Sequence, residues 1–151
     1  MYGDFQCPYC TAAQSIIRRV RDRLDGRLRF AFRHMPLPVH PDADNAAQAS
    51  EAAAAQGAFW PMHDALYAAR GRLSLDELAG HARAIGLDGD RVRREVVAGV
   101  HAERVARDER SARAAGIAGT PAFFVNGVLH EGAFDAGSLV AALEASVPAP
   151  Q

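Results

Sequence analysis

Two cysteines three residues apart, Cys7 and Cys10, carry the clearest chemical potential in this sequence. At positions i and i+3 of a helix their Cβ atoms lie about 5 to 6 Å apart, and a small backbone adjustment from there closes a disulfide. Because closing so short a loop removes little entropy from the unfolded chain, the bridge would stabilise the fold only weakly. The pair therefore predicts reversible redox chemistry rather than a structural crosslink.

The chain has no other cysteine, which excludes a scaffold of several disulfides and a zinc site built from four cysteines. A zinc site would have to recruit histidines such as His34, His40 or His63, and none of them has the short paired spacing of a zinc finger. A chemically inert cysteine pair is the remaining alternative. The redox interpretation is favoured over both.

The elements around the pair are predicted to be a strand and a helix. Residues 2–6 form the end of a strand, and Pro8 occupies the first helical position, so that Cys7 caps the helix. Apolar residues recur at helical spacing up to Asp25-Gly26, where the glycine can adopt the left-handed conformation that ends a helix.

The rest of the chain alternates between strand and helix patterns. Strand patterns cover residues 28–34, 121–125 and 128–131, and the Asn126-Gly127 pair between the last two predicts a hairpin turn. Helical patterns cover residues 42–115, with four or five short helices and a capping box at Ser74, and a final helix that Asp135 caps. A frayed end is predicted at residues 148–150.

Composition narrows the class of protein. A length of 151 residues suits one domain. The net charge of −1 argues against nucleic-acid binding and against attraction to an anionic membrane. All basic residues are arginines, and those crowded between residues 18 and 29 are predicted to lie on a solvated helix face.

No signal peptide and no membrane-spanning run is recognised. The chain as written is therefore predicted to be soluble and cytoplasmic, or periplasmic or otherwise extracytoplasmic if its N-terminus is truncated.

Three segments together resemble the DsbA-like thiol oxidoreductases of bacteria. They are residues 2–10 (YGDFQCPYC), 59–64 (FWPMHD) and 119–127 (GTPAFFVNG). Glutaredoxins share the tetrapeptide CPYC, but they are shorter and lack a long helical insertion. The resemblance implies an α/β, thioredoxin-like fold in one domain over residues 1–151, with a helical insertion at about 42–115. The family normally has several more residues before residue 2, so the first strand is predicted to be truncated.

The resemblance also implies roles for individual residues. Cys7 is expected to be the exposed nucleophile, Cys10 the buried resolving thiol, and Pro121 a cis proline beside the disulfide. The start of the helix would stabilise a Cys7 thiolate, since such cysteines have pKa values of about 3.5 to 7.5. A cis bond at Pro121 would leave the Thr120 backbone free to pair with an extended substrate peptide.

Residues near the pair have alternative interpretations. Tyr9 must lie at the exposed start of the helix, where we expect it to contact substrate. Because its phenol carries no positive charge, it should stabilise a Cys7 thiolate less than histidine would, which predicts a milder oxidant. Asp4 could accept a proton from Cys10, but a carboxylate satisfied within a turn is favoured. For Phe59 and Trp60, core packing is favoured over a peptide-binding surface.

These observations predict a thiol:disulfide oxidoreductase that acts on cysteine-containing proteins through Cys7 and Cys10, in the oxidising direction. It would need no cofactor and would depend on a redox partner that the sequence does not identify. One alternative is a glutathione-linked isomerase or transferase of the same fold, although such relatives usually lack the second cysteine. The other is a non-catalytic, thioredoxin-like module that binds a partner protein, as the terminal domain of a membrane transporter or reductase would.

Overall fold

The computed structural model describes residues 1–146, which form four short strands and seven helices. The strands are β1 (Tyr2–Gly3), β2 (Arg33–His34), β3 (Phe124–Val125) and β4 (Val128–Leu129). The helices are α1 (Pro8–Leu24), α2 (Ala43–Ala54), α3 (Phe59–Ala68), α4 (Leu75–Ala84), α5 (Gly89–Val97), α6 (Ala102–Ala114) and α7 (Ala136–Ala145).

β1 connects the two strand pairs. It runs parallel to β2, with Tyr2 opposite Arg33, while β3 and β4 pair in antiparallel orientation. Tyr2 also forms an antiparallel bridge with Ala122, and the two residues exchange backbone hydrogen bonds of 2.8 and 3.1 Å. This bridge holds the segment before β3 beside the segment that leads into α1.

The strands are shorter than their sequence patterns predict. The predicted strand at residues 2–6 ends at Gly3, because Asp4 begins the turn into α1. The predicted strand at residues 28–34 is reduced to Arg33–His34, since Met1–Gly3 supplies partners only from Ala31 onward. The strands predicted at residues 121–125 and 128–131 are each reduced to two residues.

Local signals set the ends of α1 as predicted. Pro8 stands at its first position and Cys7 is its N-cap, with extended backbone angles. The helix ends where Asp25 takes the left-handed conformation at φ 42°, followed by Gly26 at φ 77°. Its apolar face is buried in the main core, while the arginines between residues 18 and 29 are exposed.

Five helices, α2 to α6, lie between β2 and β3. α2 is rich in alanine and almost completely buried, and it contacts α3, α4, α5 and α6. Its short side chains let these helices approach closely. The predicted capping box of α4 forms between Ser74 and Glu77. The division of the chain into one domain with an insertion stays a prediction.

The predicted hairpin and final helix are both present. Asn126 and Gly127 join β3 to β4 with φ angles of 47° and 88°, which is the combination that a type I′ turn requires. Asp135 caps α7 by accepting the backbone N–H of Ser138. The frayed end predicted at residues 148–150 lies outside the described residues. Within residues 1–146 no helix has both the length and the apolar character needed to cross a bilayer.

Candidate functional site

Both cysteines lie at the N-terminal end of α1 as free thiols, and both are buried. Cys10 is fully buried, as the resemblance implies, but Cys7 exposes only 2% of its surface. The expectation of an exposed Cys7 is therefore wrong for this structure. The burial follows from contacts distant in sequence, because the Cys7 thiol donates to the backbone carbonyl of Thr120 at 3.6 Å.

The Thr120–Pro121 loop lies against the start of α1. Its peptide bond is cis, the geometry that the resemblance implies. The neighbouring Ala122 is held to β1 by the bridge with Tyr2, which positions the loop beside Cys7. The fold thus brings together the two segments that the sequence singles out, although 113 residues separate Cys7 from Thr120.

Asp4 lies in the turn between β1 and α1, and its carboxylate is fully buried. Its Oδ1 atom accepts the backbone N–H groups of Gln6 at 2.7 Å and Cys7 at 3.1 Å. Its Oδ2 atom lies 2.8 Å from the backbone N–H of Leu37 and 2.7 Å from His40 Nδ1. This is the satisfied turn carboxylate of the favoured interpretation, and it ties the N-terminal end of α1 to the loop after β2.

Burial raises the pKa of the Cys10 thiol to about 12. The Thr120 side chain and the Asp4 backbone act in the opposite direction and favour the thiolate, while Cys7 disfavours it. Cys10 is therefore a neutral thiol near neutral pH. Any reaction that leaves a negative charge on its sulfur depends on the donors around it.

Tyr9, between the two cysteines, exposes 73% of its surface at the first turn of α1. Pro8 beside it is also exposed. Both positions are accessible to a large partner, whereas the cysteines are not. Contact between Tyr9 and a substrate stays a prediction.

The three histidines of the zinc alternative are not brought into one site. His34 pairs with Glu51, His40 with Asp4, and His63 with Asp64, each at 2.7 or 2.8 Å. Among residues 1–146 no three side chains of histidine, cysteine, aspartate or glutamate are grouped in the way that a metal ion requires.

The aromatic segment at the start of α3 belongs mainly to the core. Met62 is fully buried and Phe59 packs against the core, as favoured from the sequence. Trp60 is 39% exposed and lies against the ring of Phe30 at 5.6 Å and under the guanidinium of Arg21 at 5.7 Å. Trp60 therefore packs at the surface of the protein and is not part of the buried core.

Two residues of this region were not foreseen as partners of the site. His40 follows a proline-rich stretch, and nothing in that pattern places it against Asp4. Tyr67 lies one helical turn after His63 on the buried face of α3, so helical periodicity predicts its burial. Its position near Cys10 depends on how α3 packs against α1.

A cavity of about 870 Å³ lies elsewhere, between α1, α7, the segment before β2, the N-terminal residues and β3 with its turn. Apolar side chains such as Ile17, Val20 and Leu139 line it. Neither cysteine nor the Thr120–Pro121 loop contributes to its walls, so we do not assign it to the cysteine site.

Comparison with known proteins places the chain in a family. The model of the family described as "Thioredoxin" matches residues 1–145. The chain belongs to this family. A thioredoxin-like oxidoreductase from Silicibacter pomeroyi has a similar structure with a TM-score of 0.85 at 29% identity, over 96% of this chain and 83% of that one.

A second solved structure, the thiol-disulfide exchange protein α-DsbA2 from Wolbachia pipientis, has a TM-score of 0.79 at 21% identity and shares the fold. The match covers 95% of this chain and 78% of the Wolbachia pipientis protein. The predicted thioredoxin-like fold is thus confirmed, and the resemblance to DsbA-like proteins is confirmed at the level of the fold. The Silicibacter pomeroyi neighbour supports the general oxidoreductase class.

One curated relative is named as an antiporter. The Na(+)/H(+) antiporter NhaA 1 of Salinispora arenicola is 44% identical over 143 residues, which are 94% of this chain and 22% of that protein. The chain therefore spans about a fifth of the length of the curated relative that it matches.

Proposed function

We propose that this domain exchanges disulfides with cysteine-containing proteins through Cys7 and Cys10, and that it acts as an oxidase. The observation that carries the proposal is the position of the two thiols at the start of α1, with the Thr120 carbonyl 3.6 Å from the sulfur of Cys7. A helix N-terminus stabilises a thiolate, and the carbonyl beside it can pair with an extended peptide.

The proposed cycle starts from a disulfide between Cys7 and Cys10. A substrate thiolate attacks the Cys7 sulfur, the bond to Cys10 breaks, and Cys10 leaves as a thiolate. A second substrate thiolate then attacks the substrate sulfur of the mixed disulfide, which releases an oxidised substrate and reduced Cys7. An unidentified redox partner reoxidises the pair. Because Cys7 is 2% exposed, substrate entry requires local movement of the loop that covers it.

The test is oxidation of a reduced, unfolded protein by the oxidised domain, followed by titration of the remaining substrate thiols. Wild type should consume two substrate thiols per domain, and Cys7→Ser should consume none. Cys10→Ser, which cannot form the disulfide either, should also consume none. Substrate thiols that disappear equally fast with Cys7→Ser would reject the proposal.

A second candidate is a non-catalytic module that binds a partner as part of a longer transporter chain. The 44% identity to a segment of an antiporter favours it. Insulin reduction in the presence of dithiothreitol separates the two candidates, because a binding module shows no turnover that depends on Cys7. An enzyme loses that turnover in Cys7→Ser while its fold remains.

A further inference from the structure

Two buried hydroxyl groups near the cysteines have no hydrogen-bond partner among the described residues. They are the phenol of Tyr67 in α3 and the side-chain oxygen of Thr120 in the loop. Buried hydroxyls are almost always paired, because losing water without gaining a partner is unfavourable. Two unpaired hydroxyls at one site therefore indicate an acceptor that is absent when both cysteines are neutral thiols.

Tyr67 is buried, with 4% of its surface exposed. Its ring packs against the rings of Phe5 and His63, with centroids 5.0 Å away in both cases. Burial raises the pKa of Tyr67 well above its ordinary value, and Cys10, then Asp4 and Cys7, raise it further. Tyr67 is therefore a fixed donor that remains protonated, and Cys10 is the acidic group that affects it most.

Asp4 cannot be the acceptor of the Tyr67 proton. A carboxylate offers about four acceptor positions, and those of Asp4 already face Gln6, Cys7, Leu37 and His40. The sulfurs are the remaining acidic groups near the phenol. Of the two, Cys7 already donates its own proton to the Thr120 carbonyl.

Thr120 approaches Cys10 from the opposite element. Burial raises the pKa of Cys10, and the Thr120 side chain is the strongest influence that lowers it. A hydroxyl from α3 and a hydroxyl from the loop thus both interact with Cys10, and neither hydroxyl has another partner among the described residues.

We infer that the hydroxyls of Tyr67 and Thr120 together hold the Cys10 thiolate whenever the Cys7–Cys10 bond opens. The inference rests on the proposed function. When a substrate thiolate attacks Cys7, the electron pair of the broken bond moves to Cys10, and both hydroxyls donate to that sulfur. In the reverse step the same thiolate attacks Cys7 in the mixed disulfide and expels the substrate thiolate. Tyr67 therefore controls how easily the second cysteine leaves and returns.

The test follows the two steps separately. Reduced protein is mixed with one equivalent of 5,5′-dithiobis(2-nitrobenzoate), and release of the coloured thiolate is recorded between pH 5 and pH 9. Attack by Cys7 gives the first phase, and attack by Cys10 on the mixed disulfide gives the second. Tyr67→Phe should slow the second phase about tenfold throughout this pH range, since hydrogen bonds to charged groups are strong. The first phase should change less than twofold.

Tyr2→Phe is the matched control. Tyr2 is also a buried tyrosine, but its hydroxyl lies 2.7 Å from Ser111 Oγ and is already paired. We expect Tyr2→Phe to lower stability and to leave both phases unchanged, whereas Tyr67→Phe should keep its stability. Thr120→Val, a second variant, should also slow the second phase.

The outcomes separate the inference from the proposed function. If wild type shows no second phase, or if Cys10→Ser keeps it, the proposed exchange fails and the inference falls with it. If wild type shows a second phase that requires Cys10, and Tyr67→Phe reproduces its rate at every pH measured, the exchange stands and the role of Tyr67 is overturned.

Discussion

The carboxylate of Asp4 accepts the backbone N–H of Cys7 at 3.1 Å, so a buried negative charge caps the turn that presents the first cysteine. The same carboxylate accepts from the backbone of Gln6 and of Leu37. Three backbone donors from two loops therefore depend on one side chain. Buried N–H groups that lose their acceptor destabilise a protein strongly.

We predict that Asp4→Ala lowers the free energy of unfolding by about 3 kcal/mol or more, as measured by urea denaturation. Asp135→Ala is the control, because Asp135 also accepts a backbone N–H at a helix start but is exposed. It should lower stability clearly less. If Asp4→Ala and Asp135→Ala lowered the free energy of unfolding equally, burial of the Asp4 carboxylate would add nothing to stability.

The exposed position of Tyr9 allows a direct test of the charge between the cysteines. Tyr9→His should speed the alkylation of Cys7 by iodoacetamide at pH 6, because an imidazolium near a thiolate favours the charged form. Tyr9→Phe removes only the hydroxyl and should leave the alkylation rate unchanged. Complete alkylation of wild type at pH 4 would contradict the idea that tyrosine makes this protein a milder oxidant.

Local signals account for the parts of the site that sequence alone predicts. Pro8 and Asp135 define helix starts, and Asn126-Gly127 defines the hairpin, because each acts on its own backbone. The burial of Cys7 was missed because it depends on a carbonyl 113 residues away. The closeness of Tyr67 to Cys10 was missed for the same reason, since helical spacing predicts that a face is buried but not what it meets.

Strand length shows the same limit. The pattern at residues 28–34 alternates like a strand, but only Arg33 and His34 are paired as β2. A ladder extends only as far as its partner, and β1 offers two residues. Alternation therefore predicted the place of the strand correctly and its length incorrectly.

Two glycines in the helical region predict opposite effects of the same substitution. A Cβ atom at Gly89 would overlap the backbone oxygen of Ala79, whereas a Cβ at Gly80 would meet nothing within 4 Å. Gly89→Ala should lower the free energy of unfolding by about 1 to 3 kcal/mol by separating α4 from α5. Gly80→Ala, in the middle of α4, should raise it by about 0.5 to 1 kcal/mol. Thermal unfolding followed by circular dichroism measures both, and a stabilised Gly89→Ala would contradict the close packing of these helices.

His63 makes stability depend on pH. Burial lowers its pKa below 6.5, and Asp64 opposes this by raising it. The unfolded state therefore takes up a proton at a higher pH than the native state does. The stability associated with His63 is complete above about pH 6.5 and is lost as the pH falls toward the lower native value.

We predict that the free energy of unfolding of wild type declines between pH 7 and pH 5, and that His63→Phe removes part of this decline. Phenylalanine suits the site because the imidazole lies among the rings of Phe5, Phe32, Trp60 and Tyr67. Asp64→Asn should have the opposite effect, because losing the carboxylate lowers the native pKa of His63 further and deepens the decline. Urea titrations at each pH measure all three proteins. Parallel curves for wild type and His63→Phe would show that the buried imidazole does not contribute to acid sensitivity.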